Sequence, residues 1–271
     1  MPGPRAAVFY DAVALKLPEM TPAGTVARYP AYLCELLAFD GIAAISADAR
    51  GALLDYWAWL GVPDHPPVAA IPLGVEPPRG PTPASDPGGP PVVLSVGTLE
   101  GRKNHLALLE ACDRLWAEGE RFELRLVGAV RPETAGAAWA RLEALRTAGR
   151  PVRHDGVVDD DILEEAYASC AFTVYPSLME GFGLPVAESL ARGKPCVCSG
   201  LGAVGETARG GGCLTVDPVD IPGLASAIGR LLRNGAERER LAAEARSRPI
   251  RTSADYARDL TAWMRTLPRR S

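Results

Sequence analysis

From Val92 onward, short runs dominated by apolar residues alternate with longer segments whose apolar residues recur at helical spacing. A run without a polar side has to be covered on both faces, as in a parallel sheet flanked by helices. Val92 to Val96 is such a run, bounded by Pro and Gly, and Lys103 to Glu118 follows as a helix with Leu106, Leu109, Ala111, Leu115 and Trp116 at near-helical intervals. Phe122 to Val127, Val152 to Asp155, Ala171 to Tyr175, Pro195 to Cys198 and Cys213 to Val216 read as further strands. Ala137 to Ala148, Asp160 to Ser169, Pro185 to Ala191 and Ile221 to Leu232 read as the helices between and after them. The pattern predicts an α/β, doubly wound, Rossmann-like domain over residues 92–250. Ligands of such sheets bind beyond the carboxyl ends of the strands, so function should lie in those loops.

Upstream, residues 78–91 are so rich in Pro and Gly that neither helix nor central strand can form, and they read as an inter-domain linker. Before it, residues 1–77 hold short buried strands at Ala6 to Tyr10, Gly41 to Ile45 and Val68 to Pro72. A helix is expected at Asp48 to Leu60, with Leu53, Leu54, Trp57 and Leu60 on one side. Residues 251–271 contain an amphipathic helix from Ser253 to Leu267, marked by Tyr256, Leu260, Trp263 and Met264.

Composition narrows the function. A net charge of −4 lacks the basic footprint of nucleic-acid binding. Cys34, Cys112, Cys170, Cys196, Cys198 and Cys213 show no metal or disulfide spacing and read as small packing residues in a reducing cytosol. No apolar run approaches the ~20 residues of a membrane span, and the N-terminus lacks a signal-peptide pattern, so the chain reads as cytoplasmic. Arg greatly outnumbers Lys, whose only positions are Lys16, Lys103 and Lys194; with the abundant Ala, Gly and Pro this fits a GC-rich bacterial genome.

Two loops carry candidate chemistry. Gly97-Thr98-Leu99-Glu100-Gly101-Arg102-Lys103-Asn104 follows the strand Val92 to Val96 and offers two adjacent cations, with a helix expected to begin near Lys103. Helix starts present unpaired N–H groups that favour anions. The loop matches neither the Walker order nor the G-x-G-x-x-G dinucleotide fingerprint, which weakens ATP hydrolysis and nicotinamide redox chemistry. The second loop runs from Tyr175 through Pro176-Ser177-Leu178-Met179 to Glu180-Gly181-Phe182-Gly183-Leu184-Pro185-Val186-Ala187-Glu188. Its Pro185 suits a helical first turn and Gly193 suits the helix stop. Glu180 and Glu188 could reach one ligand from two sides, or could be a turn residue and an exposed helix acid.

Glu-Gly-Phe-Gly-Leu-Pro-Val-Ala-Glu resembles the E-x7-E signature of glycosyltransferase family 4, the retaining GT-B group that includes many bacterial mannosyl- and glucosyltransferases. Val-Gly-Thr-Leu-Glu-Gly-Arg-Lys-Asn resembles that family's first donor-domain loop. The likeness continues through Gly156-Val157-Val158, Ala191-Arg192-Gly193-Lys194-Pro195 and Gly205-Glu206-Thr207 to Val216-Asp217-Pro218. The resemblance implies a hexose moved from a nucleotide diphosphate-sugar onto the hydroxyl of a glycan, lipid-linked or small-molecule acceptor, with retained anomeric configuration. It implies no cofactor or metal beyond the donor substrate, and peripheral membrane contact is compatible with it.

By the same resemblance Lys103 contacts the donor diphosphate with Arg102 beside it, and Gly97, Thr98 and Gly128 border the donor site. Backbone near Phe182, Gly183 and Leu184 holds phosphate oxygens, Glu180 binds hydroxyls of the transferred sugar, Glu188 the ribose, and the backbone of Val157 and Val158 meets the base. Many members of the family have Arg immediately after the Gly of the first loop; here Thr98 stands there, which shifts phosphate stabilisation toward Lys103 and Arg102.

GT-B enzymes place the site between two Rossmann-like domains, the first binding the acceptor, and the terminal helix crosses back to that first domain. Residues 1–77 resemble only its later half. A mis-started reading frame, a split protein completed by a partner and a relative that binds without turnover are the accounts left open, and an uncovered sheet edge predicts association through the incomplete domain. The competing functions are a non-catalytic nucleotide-sugar-binding pseudoenzyme or subunit and, more weakly supported, a nucleotide-sugar epimerase of GT-B fold.

Overall fold

The computed structural model describes residues 3–78 and 88–268, so most of the expected linker lies outside the described residues. Strands β1 (Ala6–Phe9), β2 (Gly41–Ala44) and β3 (Val68–Ala70) form a parallel sheet in that order. Strands β4 (Val92–Val96), β5 (Glu123–Val127), β6 (Val152–His154), β7 (Phe172–Tyr175), β8 (Cys196–Cys198) and β9 (Cys213–Thr215) form a second parallel sheet in the order β6-β5-β4-β7-β8-β9. The chain winds outward from β4 through β5 and β6, then returns to the other side of β4 for β7 through β9. That reversal opens a crevice above the carboxyl ends of β4 and β7.

The first part of the chain carries helices α1 (Val13–Lys16), α2 (Ala23–Glu35) and α3 (Ala47–Trp59). The second carries α4 (His105–Ala117), α5 (Pro132–Thr147), α6 (Asp160–Ser169), α7 (Leu184–Ala191), α8 (Gly202–Ala208), α9 (Ile221–Arg233), α10 (Gly235–Arg246) and α11 (Ser253–Met264). One face of the large sheet is covered by α4, α5 and α9 through Leu108, Leu109, Leu115, Leu142, Leu224 and Ile228; the other meets α6 through Ala166 and Tyr167 and α7 through Val186 and Leu190. Among the described residues no helix is long and apolar enough to cross a membrane.

Several boundaries depart from the expectations. The helix expected from Lys103 begins at His105, because Asn104 takes a left-handed φ of 55° and separates it from a 3-10 turn at Gly101–Lys103. Arg102 and Lys103 therefore ride on that turn, ahead of the helix. Helix α5 starts at Pro132, more than a turn before the apolar spacing suggested, with the proline in its first turn. In α3, Leu53 and Trp57 are buried as expected, while Leu60 lies past the helix end and is exposed.

The first unit has its own core around Phe9, Leu33, Ile42, Leu53 and Trp57, with the Trp57 indole N–H donating to the Leu33 carbonyl at 3.1 Å. Cys112, Cys170, Cys196 and Cys198 are buried packing residues, Cys213 is half-buried and Cys34 exposed. The end of the chain returns to the first unit. Val75 N–H donates to the Arg251 carbonyl at 2.9 Å, and the side chains of Trp263 and Leu267 lie so close over Gly41 that a Cβ there would come within 2.5 Å of Leu267.

Candidate functional site

The crevice above β4 and β7 is a cleft of about 710 Å³, walled on one side by Gly97, Thr98, Glu100, Arg102, Lys103 and Arg131 and on another by Tyr175 and Glu180 to Pro185. The first unit supplies the opposite wall, including Tyr10, Asp11, Thr25, Tyr29 and Tyr32. The two donor-side loops are tied by backbone: Leu178 N–H donates to the Arg102 carbonyl at 2.9 Å, and the Arg102 guanidinium donates to the Met179 carbonyl at 3.2 Å.

At the centre lies Glu180, its side chain only 9 % exposed. Lys103 Nζ is 2.7 Å from Oε1 and an Arg102 guanidinium nitrogen 2.5 Å from Oε2. The Lys103 contact is an ion pair without hydrogen-bond geometry, so Oε1 keeps acceptor capacity. Burial alone would raise the Glu180 pKa, but the two cations outweigh it and hold the carboxyl below its ordinary value. Burial pulls the Lys103 ammonium below its usual range, with Arg102 adding repulsion and Glu180 only partly compensating. For Arg102 burial also disfavours the charge, yet Glu180 and Glu100 leave its pKa raised. The site therefore holds a carboxylate and two cations away from most water, where fixed charges act strongly.

Lys103 is steadied by a residue the sequence reading left unassigned. The Tyr175 hydroxyl accepts from Nζ at 2.5 Å, and the ammonium sits 4.8 Å from the ring centre. Tyr175 ends β7, so the rule that ligands gather at strand ends was the signal for it. Glu100 and Arg131 were also missed; Glu100 lies 2.8 Å from Arg102 and 3.4 Å from Arg131. His105, buried behind the turn that carries Lys103, has its pKa lowered to about 3 by burial first and by the nearby Lys103 second.

The glycines shape the cleft. Gly183 caps α7 with a left-handed φ of 100°, so Gly183 and Leu184 open the helix at the cleft wall, where helix-start amides favour an anion. At Gly181 a Cβ would come within 2.1 Å of the Tyr10 carbonyl, so this glycine lets the two units meet at the cleft.

Of the residues expected at the site, Gly97, Thr98, Arg102, Lys103, Glu180, Phe182, Gly183 and Leu184 share this cleft. Four do not line it. Gly128 packs beneath, where a Cβ would come 2.2 Å from the Gly97 carbonyl oxygen. Val157 is exposed and Val158 packs on the core beside Leu94 and Tyr167. The Glu188 carboxylate accepts from the buried Tyr167 hydroxyl at 2.8 Å.

The profile of the family described as glycosyl transferases group 1 matches residues 90–234. O-antigen chain mannosyltransferase B of Escherichia coli is 36 % identical over 147 residues, covering 54 % of this chain and 38 % of that protein. The MMP alpha-(1->4)-mannosyltransferase of Mycolicibacterium hassiacum is 34 % identical over 145 residues, covering 53 % and 34 %. The matched stretches thus span well under half the length of these curated relatives. Among solved structures, sucrose-phosphate synthase from Thermosynechococcus elongatus superposes with a TM-score of 0.77 at 24 % identity, covering 96 % of this chain and 67 % of that one. Anabaena HepE in complex with UDP and glucose gives 0.78 at 16 % identity, covering 97 % and 72 %. The fold is that of the GT-B glycosyltransferases.

Proposed function

Because this chain belongs to the glycosyl transferases group 1 family, we propose that it transfers a hexose from a nucleotide diphosphate-sugar to an acceptor hydroxyl with retention of anomeric configuration. The observation that carries this reading is the buried Glu180–Lys103–Arg102 cluster at the sheet's switch point. The donor's diphosphate would lie against Lys103, Arg102 and the opening amides of α7. These groups would stabilise the charge that develops as the glycosidic oxygen leaves with the phosphate. Glu180 Oε1, with acceptor capacity left over, would take a hydroxyl of the transferred sugar. The acceptor would enter along the wall made by the first unit, and its hydroxyl proton would pass to the departing phosphate on the same face.

The retaining course and membership of glycosyltransferase family 4 rest on the Glu180-to-Glu188 spacing. Similarity to two mannosyltransferases favours mannose as the transferred sugar. The chain is proposed to act in the cytoplasm on a glycan, lipid-linked or small-molecule acceptor.

The test is release of nucleoside diphosphate from GDP-mannose and UDP-glucose with a panel of sugar acceptors. Lys103→Ala and Glu180→Gln should each reduce turnover by about 10²-fold or more, as loss of a group aimed at transition-state charge does. Unchanged rates in both variants would overturn the assignment. Calorimetric binding of the donor without turnover on any acceptor would instead identify a nucleotide-sugar-binding subunit.

A further inference from the structure

Three cations line the cleft, and they are not equally committed. Lys103 and Arg102 are locked onto Glu180 at 2.7 and 2.5 Å, with side chains 11 % and 23 % exposed. Arg131 is 48 % exposed and, among the described residues, its ion-pair partner is Glu100, at 3.4 Å. An ion pair that loose and that wet contributes little, so the guanidinium can leave it at small cost. Glu100 does not lose its charge partner when it does, because Arg102 stays 2.8 Å from its other oxygen.

Backbone structure explains why Arg131 overhangs the cleft. Past the ends of β4 and β5 the two loops continue to pair through a parallel bridge between Leu99 and Val130. Leu99 N–H donates to the Ala129 carbonyl at 2.7 Å and Arg131 N–H to the Leu99 carbonyl at 2.9 Å. The missing side chain of Gly128 permits this closeness, since a Cβ there would come 2.2 Å from the Gly97 carbonyl oxygen. Arg131 is thereby anchored just before α5, on the same rim as Thr98, which follows Gly97 and carries no charge.

The charge balance points the same way. On the donor-side wall two carboxylates, Glu100 and Glu180, face three cations, leaving one positive charge there without a matched anion; the third carboxylate of the cleft, Asp11, lies on the opposite wall, where it accepts from the Val13 N–H. A diphosphate brings more negative charge than Lys103 and Arg102, already shared with Glu180, can match. A planar guanidinium on a long stem suits a terminal phosphate, which it can grip through two parallel N–H···O bonds.

We propose that Arg131 is a donor-binding residue that swings from Glu100 onto the terminal phosphate of the nucleoside diphosphate, supplying from the loop after β5 the cation that position 98 lacks. The proposal rests on the nucleotide-sugar reading above, but concerns a residue that reading does not use. The substitution is also mild for folding: Arg131 makes no side-chain cap on α5, and its ion pair is half in water.

The experiment is calorimetric titration of the purified chain with GDP and UDP, and with GMP and UMP, for the unaltered protein, Arg131→Ala and Arg131→Lys. The expected result is diphosphate affinity weakened about tenfold or more by Arg131→Ala, in line with loss of one charge-assisted contact. Monophosphate affinity should hardly change, and Arg131→Lys should recover part of the loss. Equal diphosphate affinity in Arg131→Ala and the unaltered chain would overturn the role of Arg131 and leave the glycosyltransferase reading standing. Equal weakening toward mono- and diphosphates would also overturn it, since the contact would not be to the terminal phosphate. Failure of the unaltered chain to bind any of the four nucleotides would sink the nucleotide-sugar reading and this proposal together.

Discussion

Glu180 holds two cations in a space where neither is well hydrated, and that fixes what its loss does. Glu180→Ala leaves Lys103 and Arg102 facing each other without their shared carboxylate, and breaking a buried pair from one side costs about 3 kcal/mol. Lys103→Met should cost clearly less, because Glu180 keeps Arg102. Urea denaturation of the two variants checks the order; equal losses would mean the cluster is not coupled as described. Acid acts on two residues, in windows that begin at different pH and overlap below 4.5. His105 is buried neutral with its pKa at about 3 against an ordinary 6.5, so the unfolded chain binds more protons between those values. Stability is therefore full above pH 6.5 and falls as pH drops below it, by up to ~1.4 kcal/mol per pH unit. Glu180, its pKa depressed below the usual 4.5, contributes stability that persists above 4.5 and is lost at lower pH, through its folded pKa. His105→Leu should flatten the dependence between pH 6.5 and 4.5 and leave below that only the limb due to Glu180; an unchanged slope in the upper interval would contradict the burial of a neutral imidazole. At this scale the sequence marked Glu180, Lys103 and Arg102 through their motif. It left Tyr175 unassigned although its place at a strand end pointed to it, and Arg131 unassigned because the pairing of the loops after β4 and β5 carries no spacing signal. Glu188 shows the converse: its motif does not bring its side chain to the cleft wall, and its carboxylate accepts from the Tyr167 hydroxyl instead.

The elements that present these residues depend on backbone conformations that only certain residues allow. Gly183 opens α7 at φ 100°, and a Cβ there would meet its nearest atom only at 3.6 Å, so space is not the issue. Gly183→Ala should cost about 1–2 kcal/mol through left-handed strain alone. Gly128→Ala should cost more, since its Cβ would overlap the Gly97 carbonyl at 2.2 Å and force the β4 and β5 loops apart. Thermal denaturation of both reads the difference, and equal melting points would argue against the close loop contact. Strand positions were legible because apolar runs bounded by Pro and Gly have few alternatives. The start of α4 was not, because the left-handed Asn104 leaves the hydrophobic rhythm undisturbed. Helices α2, α8 and α10 went unread for another reason. The first buries only Leu33 and contains Pro30, the second is short and small-residued, and the third is largely polar. Arg125, buried in β5 and paired with Asp155 and Glu165, likewise interrupts a strand in a way only the folded partners explain.

Across the whole molecule the cleft exists because two units are held against each other by few but specific contacts. The Glu206 carboxylate on α8 accepts from the N–H groups of Ala47 and Asp48 at 2.9 and 2.6 Å, completing the start of α3 from the other unit. An anion at a helix start is stabilising, so Glu206→Ala should lower unfolding free energy by about 1 kcal/mol. If equilibrium unfolding showed no change, the α3–α8 junction would not be holding the units together. Arg251 adds a bond to the Pro72 carbonyl at 2.8 Å, beside the return of the chain end to the first unit. The Pro-rich break suggested a division of the chain, but nothing in the sequence suggested the junction, because residues so far apart in the chain leave no periodic trace. The claim on which the account turns is that one nucleotide-sugar fills the cleft between these units. A crystal structure grown with GDP-mannose or UDP-glucose measures it directly. The account predicts the diphosphate within hydrogen-bond distance of Lys103 and the sugar within reach of Glu180 Oε1; a donor bound elsewhere, with Lys103 and Glu180 still closed on each other, would contradict it.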